Sequence, residues 1–283
     1  LSLSLAIAVF LLIGGTSAHA DPVFRTIDVK RADGSSIDVR VHDRGHGAAD
    51  QALLLVSGSD CKSIEALGWS TLAAETDGPR WVVAVDKEGA SRDGTCGPTY
   101  ESQSTEQARW FDHVAAMNRL KRELGLRDRG AFRVFAVSAG GLTACALAGA
   151  TDDVEAVALL STGGGMTFDQ ELSLLTKDDP DFAKQKHRVA SDPRVGATWL
   201  GATNPEIWWR SVLPTRCLDL MEGYRGRVLV AHARGDESTP VESARRLVEG
   251  LKAQGLTPEY VEIDGGHALN REVLARAFEW LSR

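Results

Sequence analysis

The sequence predicts an α/β protein: one mostly parallel sheet with helices on both faces. Three observations predict it. Apolar runs such as ALLLV and WVVAV are nearly unbroken, as in strands buried on both sides. Stretches of helical spacing alternate with those runs. Two β-like runs come before the alternation starts, and one long stretch interrupts it.

Taken in order, residues 23–33 and 36–43 read as two strands joined by an Asp-Gly turn. Residues 52–60 form a buried strand, followed by a helix over 63–76 and a strand over 81–86. Residues 106–125 have helical spacing, with Trp110, Val114, Met117 and Leu120 on one side. The run RVFAV leads into SAGG and a helix over 142–148. Strands follow at 154–162, 227–236 and 259–267, with helices over 241–254 and 270–281. The interrupting stretch, about residues 165–225, contains no clear strand and carries Trp199, Trp208 and Trp209. It is expected to be a mainly helical insertion, a lid, after the sixth strand, placed over the sheet's carboxyl edge.

Composition closes off other classes. A formal net charge of −7 with no basic run argues against a nucleic-acid or anionic-membrane partner. The first 20 residues contain no Lys, Arg, Asp or Glu, and an apolar run there ends in small residues at Ala18-His19-Ala20. That is the pattern of a signal peptide over 1–20, with a domain over 21–283 that is secreted or periplasmic. The run is too short for the roughly 20 residues of a stable membrane span. An uncleaved anchor or a buried N-terminal segment is the alternative. Four cysteines fit an oxidising compartment. Cys61 and Cys96 lie in loops after strand-like runs and form a disulfide if those strands are neighbours. Cys145 and Cys217, in apolar helical stretches, read as buried small hydrophobes. No Cys/His spacing points to a metal, and STGGG (161–165) lacks the Lys-Ser/Thr of a phosphate loop.

The chemistry concentrates at Ser138. Ligands of such sheets bind at the carboxyl ends of strands, and Ser138 sits at one. A strand turning sharply into a helix needs small residues two before and two after the turn; here they are Ala136 and Gly140. The stretch Ala136-Val137-Ser138-Ala139-Gly140 resembles the nucleophile elbow G-x-S-x-G of the α/β-hydrolase family, with alanine for the first glycine. The same resemblance extends to Asp236 in DESTP and to His267 after Gly-Gly, in the family's order Ser, Asp, His. It implies Ser138 as nucleophile, His267 as base and Asp236 as the residue orienting the imidazole. Glu237 and Asp264 are the fallback acids. The oxyanion donors it implies are the amides of Ala139 and of Ser59, in the loop SGSD.

A carboxylate at Asp60 beside that hole would oppose an oxyanion unless it points away or binds a substrate cation; a solvated loop residue is the alternative. Trp208 and Trp209 either line a substrate pocket or pack the insertion onto the core. His42, His46, His113, His187 and His232 read as structural. The expected activity is hydrolysis of a carboxylic ester through an acyl-enzyme, without a cofactor, on a small-molecule ester or peptide-like substrate. The alternatives are a peptidase or amidase with the same triad, and a catalytically silent binding protein on the same fold.

Overall fold

The strands are β1 (Arg25–Lys30), β2 (Ser36–Asp43), β3 (Ala48–Val56), β4 (Pro79–Val85), β5 (Phe132–Val137), β6 (Val154–Leu160), β7 (Arg227–Ala233) and β8 (Glu259–Ile263). They form one sheet in the order β1-β2-β4-β3-β5-β6-β7-β8. Strand β2 runs antiparallel to both β1 and β4, and every pairing from β4 to β8 is parallel. Two leading strands are followed by alternating β and α elements, as expected; β4 steps back beside β2, and β5 to β8 add in order on the other side of β3. The computed structural model describes residues 22–91, 93–177, 179–199 and 204–283, so the expected signal peptide lies outside the described residues.

The helices are α1 (Trp69–Glu75), α2 (Pro98–Gln103), α3 (Glu106–Leu124), α4 (Gly140–Ala150), α5 (Phe168–Thr176), α6 (Pro180–Ser191), α7 (Glu206–Val212), α8 (Cys217–Leu220), α9 (Val241–Ala253) and α10 (Arg271–Ser282). Alternation along the strands divides the core into two layers. Ala52, Leu54 and Val56 of β3 face one layer with α3, α4 and α9, while Leu53 and Leu55 face the other with α1 and α10. The second layer centres on Phe135, stacked on Phe278 at 4.1 Å and tilted against Trp69. None of the described helices is long and apolar enough to cross a membrane.

Two expectations are corrected. On α3 the buried residues are Glu106, Arg109, His113, Ala116, Met117 and Leu120, while Val114 is exposed. The buried stripe carries three polar side chains, so reading it by hydrophobicity rotates the helix. Cys145 and Cys217 are not independent buried thiols: their sulfurs are joined, tying α4 to α8 across 72 residues of sequence. Cys61 and Cys96 are also joined, with their Cα atoms 5.5 Å apart.

The stretch between β6 and β7 carries α5 to α8. Its aromatic residues pack on one another: Trp199 against Trp209, Trp208 against Trp209, and Phe168 against both Trp208 and Trp209. The Glu206 carboxylate, buried at the start of α7, takes paired hydrogen bonds from Arg188 and a further one from Arg194 Nη2 at 2.7 Å. The Arg188 bonds, reinforced by Arg194, hold it far below the usual carboxylate range.

Candidate active site

Ser138 follows β5 and precedes α4 with φ 55°, in the left-handed region that side chains other than glycine rarely adopt. Holding it there costs on the order of 1–2 kcal/mol, and its amide is anchored to Leu160 O at 2.8 Å. The requirement for small neighbours is steric. A Cβ on Gly140 would stand 2.3 Å from Ser57 O, and one on Gly58 would stand 3.2 Å from Ser138 Cβ. The loop after β3 therefore lies directly alongside the serine.

The parallel sheet brings three strand ends together. His267, in the loop after β8, places Nε2 2.9 Å from Ser138 Oγ. Its Nδ1 is 3.0 and 2.9 Å from the two carboxylate oxygens of Asp236, in the loop after β7. With Asp236 ionised, Nδ1–H donates to the carboxylate and Nε2 accepts from the Ser138 hydroxyl. Asp236 is itself held in place: its Oδ1 accepts from the Ser238 and Thr239 amides, each at 2.9 Å. Glu237 is exposed, and Asp264 pairs with Arg234 Nη1 at 2.5 Å.

Two residues that sequence reasoning set aside or missed also touch this assembly. His232, read as structural, is fully buried; its Nε2 lies 3.0 Å from Thr239 O and 3.4 Å from Asp236 Oδ2. Burial holds its imidazole below the ordinary histidine value, so Nε2–H is a neutral donor shared between those oxygens. Its position four residues before Asp236 in an apolar strand was the available signal. Ser161, which follows β6 with φ 51°, donates from Oγ to His267 O at 2.9 Å.

The Ser59 and Ala139 amides donate no hydrogen bond among the described residues. Asp60 is engaged by its own chain: Oδ1 accepts from the Lys62 amide at 3.3 Å and pairs with Lys87 Nζ at 3.4 Å. Trp208 and Ser59 border a cavity of about 30 Å³, lined also by Lys87, Tyr100, Thr105 and Arg109. Trp209 is 5% exposed and belongs to the aromatic cluster.

Behind Asp236, Glu171 of α5 is buried, with Oε1 accepting from Gly164 N at 3.0 Å and from the Ser243 hydroxyl. Burial pushes its carboxyl up to about 7, and the like charge of Asp236 adds to the shift against those two hydrogen bonds. The folded pKa exceeds the unfolded one, so the native state binds more protons in between, and stability falls as pH rises from about 4.5 through 7. The loss is on the order of 3 kcal/mol. Glu171→Gln removes it: relative to wild type, its melting temperature should be higher at pH 8 than at pH 5. Equal differences at both pH values, measured by calorimetry, would contradict this assignment.

No family model and no curated protein matches the sequence. Solved structures do resemble it. A puromycin-hydrolyzing peptidase of Mycobacterium tuberculosis superposes with a TM-score of 0.65 at 17% identity, over 91% of this chain and 39% of that one. An acylaminoacyl peptidase of Pyrococcus horikoshii gives 0.60 at 15% identity, over 92% and 40%. Est1E from Butyrivibrio proteoclasticus gives 0.60 at 14% identity, over 90% and 97%. The chain has the α/β-hydrolase fold. It spans about two fifths of the length of the two peptidases and nearly all of Est1E. Ser138 lies in the turn between β5 and α4, and helices α5 to α8 lie between β6 and β7.

Proposed function

We propose that the protein is a serine hydrolase that cleaves a carboxylic ester through an acyl-enzyme. The observation that carries this reading is the hydrogen-bonded line from Asp236 through His267 to a hydroxyl held at φ 55° beside the start of α4. A serine hydroxyl is a poor nucleophile unless a base takes its proton as it attacks. His267 Nε2 is placed to do so, and Asp236 stabilises the imidazolium that forms. The carbonyl oxygen becomes an oxyanion, for which the Ser59 and Ala139 amides are the donors. His267 then returns the proton to the leaving alkoxide, and a water repeats the sequence on the acyl-enzyme.

In this reading residues 1–20 are a cleaved leader and 21–283 the working domain, outside the cytoplasm, where the disulfides Cys61–Cys96 and Cys145–Cys217 are stable. The insertion over about 165–225 covers the substrate, and Trp208 and Trp209, both nearly buried and packed on one another, hold the insertion onto the core. Asp60 serves Lys87 and not a substrate cation. A second reading, amide or peptide cleavage by the same triad, is favoured by the two peptidases among the similar structures.

A fluorophosphonate probe should label the wild-type protein at Ser138, read by peptide mass spectrometry. Absence of labelling on folded protein would favour a silent binding protein. Ester hydrolysis should far exceed that of the matched amide; comparable kcat/KM values would support the peptidase reading.

A further inference from the structure

The loop beside Ser138 has three consecutive carbonyls, and each meets a buried side-chain donor from a different element. Ser57 O accepts from Arg109 Nη2 of α3 at 2.6 Å. Gly58 O accepts from Lys87 Nζ, just after β4, at 2.7 Å. Ser59 O stands 2.9 Å from the Tyr100 hydroxyl of α2, which also faces Asn204 Oδ1 at 2.8 Å, and only one of these oxygens takes the phenol hydrogen. The lysine and the arginine are therefore the firm legs. The Lys87 side chain is 6% exposed and its carboxylate neighbour Asp60 is 43% exposed.

A trans peptide holds its C=O and the next N–H in one rigid plane, pointing in opposite directions. Gly58 O and Ser59 N–H belong to the same plane. Drawing the Gly58 carbonyl toward Lys87 therefore turns the Ser59 amide the other way. Gly58 packs against Ser138: a Cβ built on it would lie 3.7 Å from Ser138 Oγ. We propose that Lys87 is a positioning residue which, braced by Arg109, aims the Ser59 amide at the oxyanion formed on Ser138's substrate. This rests on the serine-hydrolase reading and extends it.

The choice of a buried cation has a physical reason. A neutral donor would orient the peptide at lower desolvation cost. An ammonium also polarises the peptide toward N–H donation and offsets Asp60, whose negative charge would otherwise oppose the oxyanion. Such preorganised donors act on charge that develops in the transition state, so they raise kcat more than they lower KM.

The test compares wild type with Lys87→Met, which keeps the length and loses the donor, and Lys87→Gln, which keeps a neutral donor and disturbs packing less. On a phenyl ester, Lys87→Met should lower kcat by about 10- to 100-fold, since complete loss of an oxyanion donor costs about 10²–10³. KM should change little. Affinity for a phenylboronic acid, whose adduct places an oxygen where the oxyanion forms, should fall by the same factor as kcat. Lys87→Gln should fall between wild type and Lys87→Met, and it alone decides if Lys87→Met does not fold. A kcat within about twofold of wild type in the folded variants would overturn the proposal, as would a loss appearing in KM alone. If wild type itself neither turns over esters nor labels with fluorophosphonate, it is the serine-hydrolase reading that fails.

Discussion

Replacing Ser138 by alanine should lower kcat for a phenyl ester by on the order of 10⁶. In the proposed mechanism the hydroxyl oxygen forms the bond to the acyl carbon, and no other nucleophilic side chain adjoins His267 Nε2 among the described residues. What remains is water attacking beside the Ser59 and Ala139 amides, a residual rate carried by binding and oxyanion stabilisation alone. The fold should be unharmed. Oγ contributes one hydrogen bond, to His267, and alanine at φ 55° bears the same backbone strain as serine. The melting temperature should therefore stay within a few degrees of wild type, and KM should move little. Initial rates on protein purified free of other esterases measure the effect, normalised to fluorophosphonate-titrated sites for wild type and to folded protein concentration for the variant. A variant retaining activity near wild type would remove Ser138 from the mechanism.

Why the sheet could be read from the residues, and other features could not, follows from where each signal resides. Strands buried on both faces write themselves as unbroken apolar runs, and β3 to β7 each contain one. Their ends are less legible: β3 begins at Ala48, in the exposed stretch AAD that carries no hydrophobic pattern. Helix α2 passed unnoticed because its sequence, PTYESQ, is polar apart from Tyr100, and Pro98 at its first position was the only start signal. The residues at the site's three strand ends were readable because each sits at a local junction of strand, small residues and loop.

The surroundings of the site were not readable, because they depend on contacts between distant elements. Glu106, Arg109 and His113 make one face of α3 look solvated, yet that face packs against α4, α7 and the loop after β3. Glu106 accepts from Trp110 Nε1 at 3.0 Å, from the Thr143 hydroxyl and from Trp208 Nε1 at 3.4 Å, so polar groups satisfy one another where hydrophobes were expected. Lys87 follows a buried strand directly and would pass for a surface residue. The pairing of Cys145 with Cys217 is of the same kind. Four cysteines allow three pairings, and only the docking of α8 on α4 selects this one.

The same reliance on distant contacts makes Asp236→Asn the sharper test of how the imidazole is set. The substitution is nearly isosteric, and its effect follows from counting hydrogens. Oδ1 of Asp236 accepts from the Ser238 and Thr239 amides, so an asparagine should keep its oxygen there and turn its NH₂ toward His267 and His232. Nδ1 of His267 then faces a donor and must accept. The ring's proton moves to Nε2, which now points a hydrogen at Ser138 Oγ and can no longer take one. Meanwhile His232, whose Nε2–H faced Oδ2 at 3.4 Å, keeps only Thr239 O as an acceptor. With the geometry intact and the tautomer wrong, kcat should fall by about 10⁴, far more than loss of one hydrogen bond would cause. The ring-proton resonances of His267, followed by NMR, should show hydrogen moving from Nδ1 to Nε2. If Asp236→Asn retained activity within about tenfold of wild type, the carboxylate would be only a structural cap on the Ser238 and Thr239 amides, and orientation of the base would have to come from elsewhere, with Ser161 and its bond to His267 O the nearest group able to supply it.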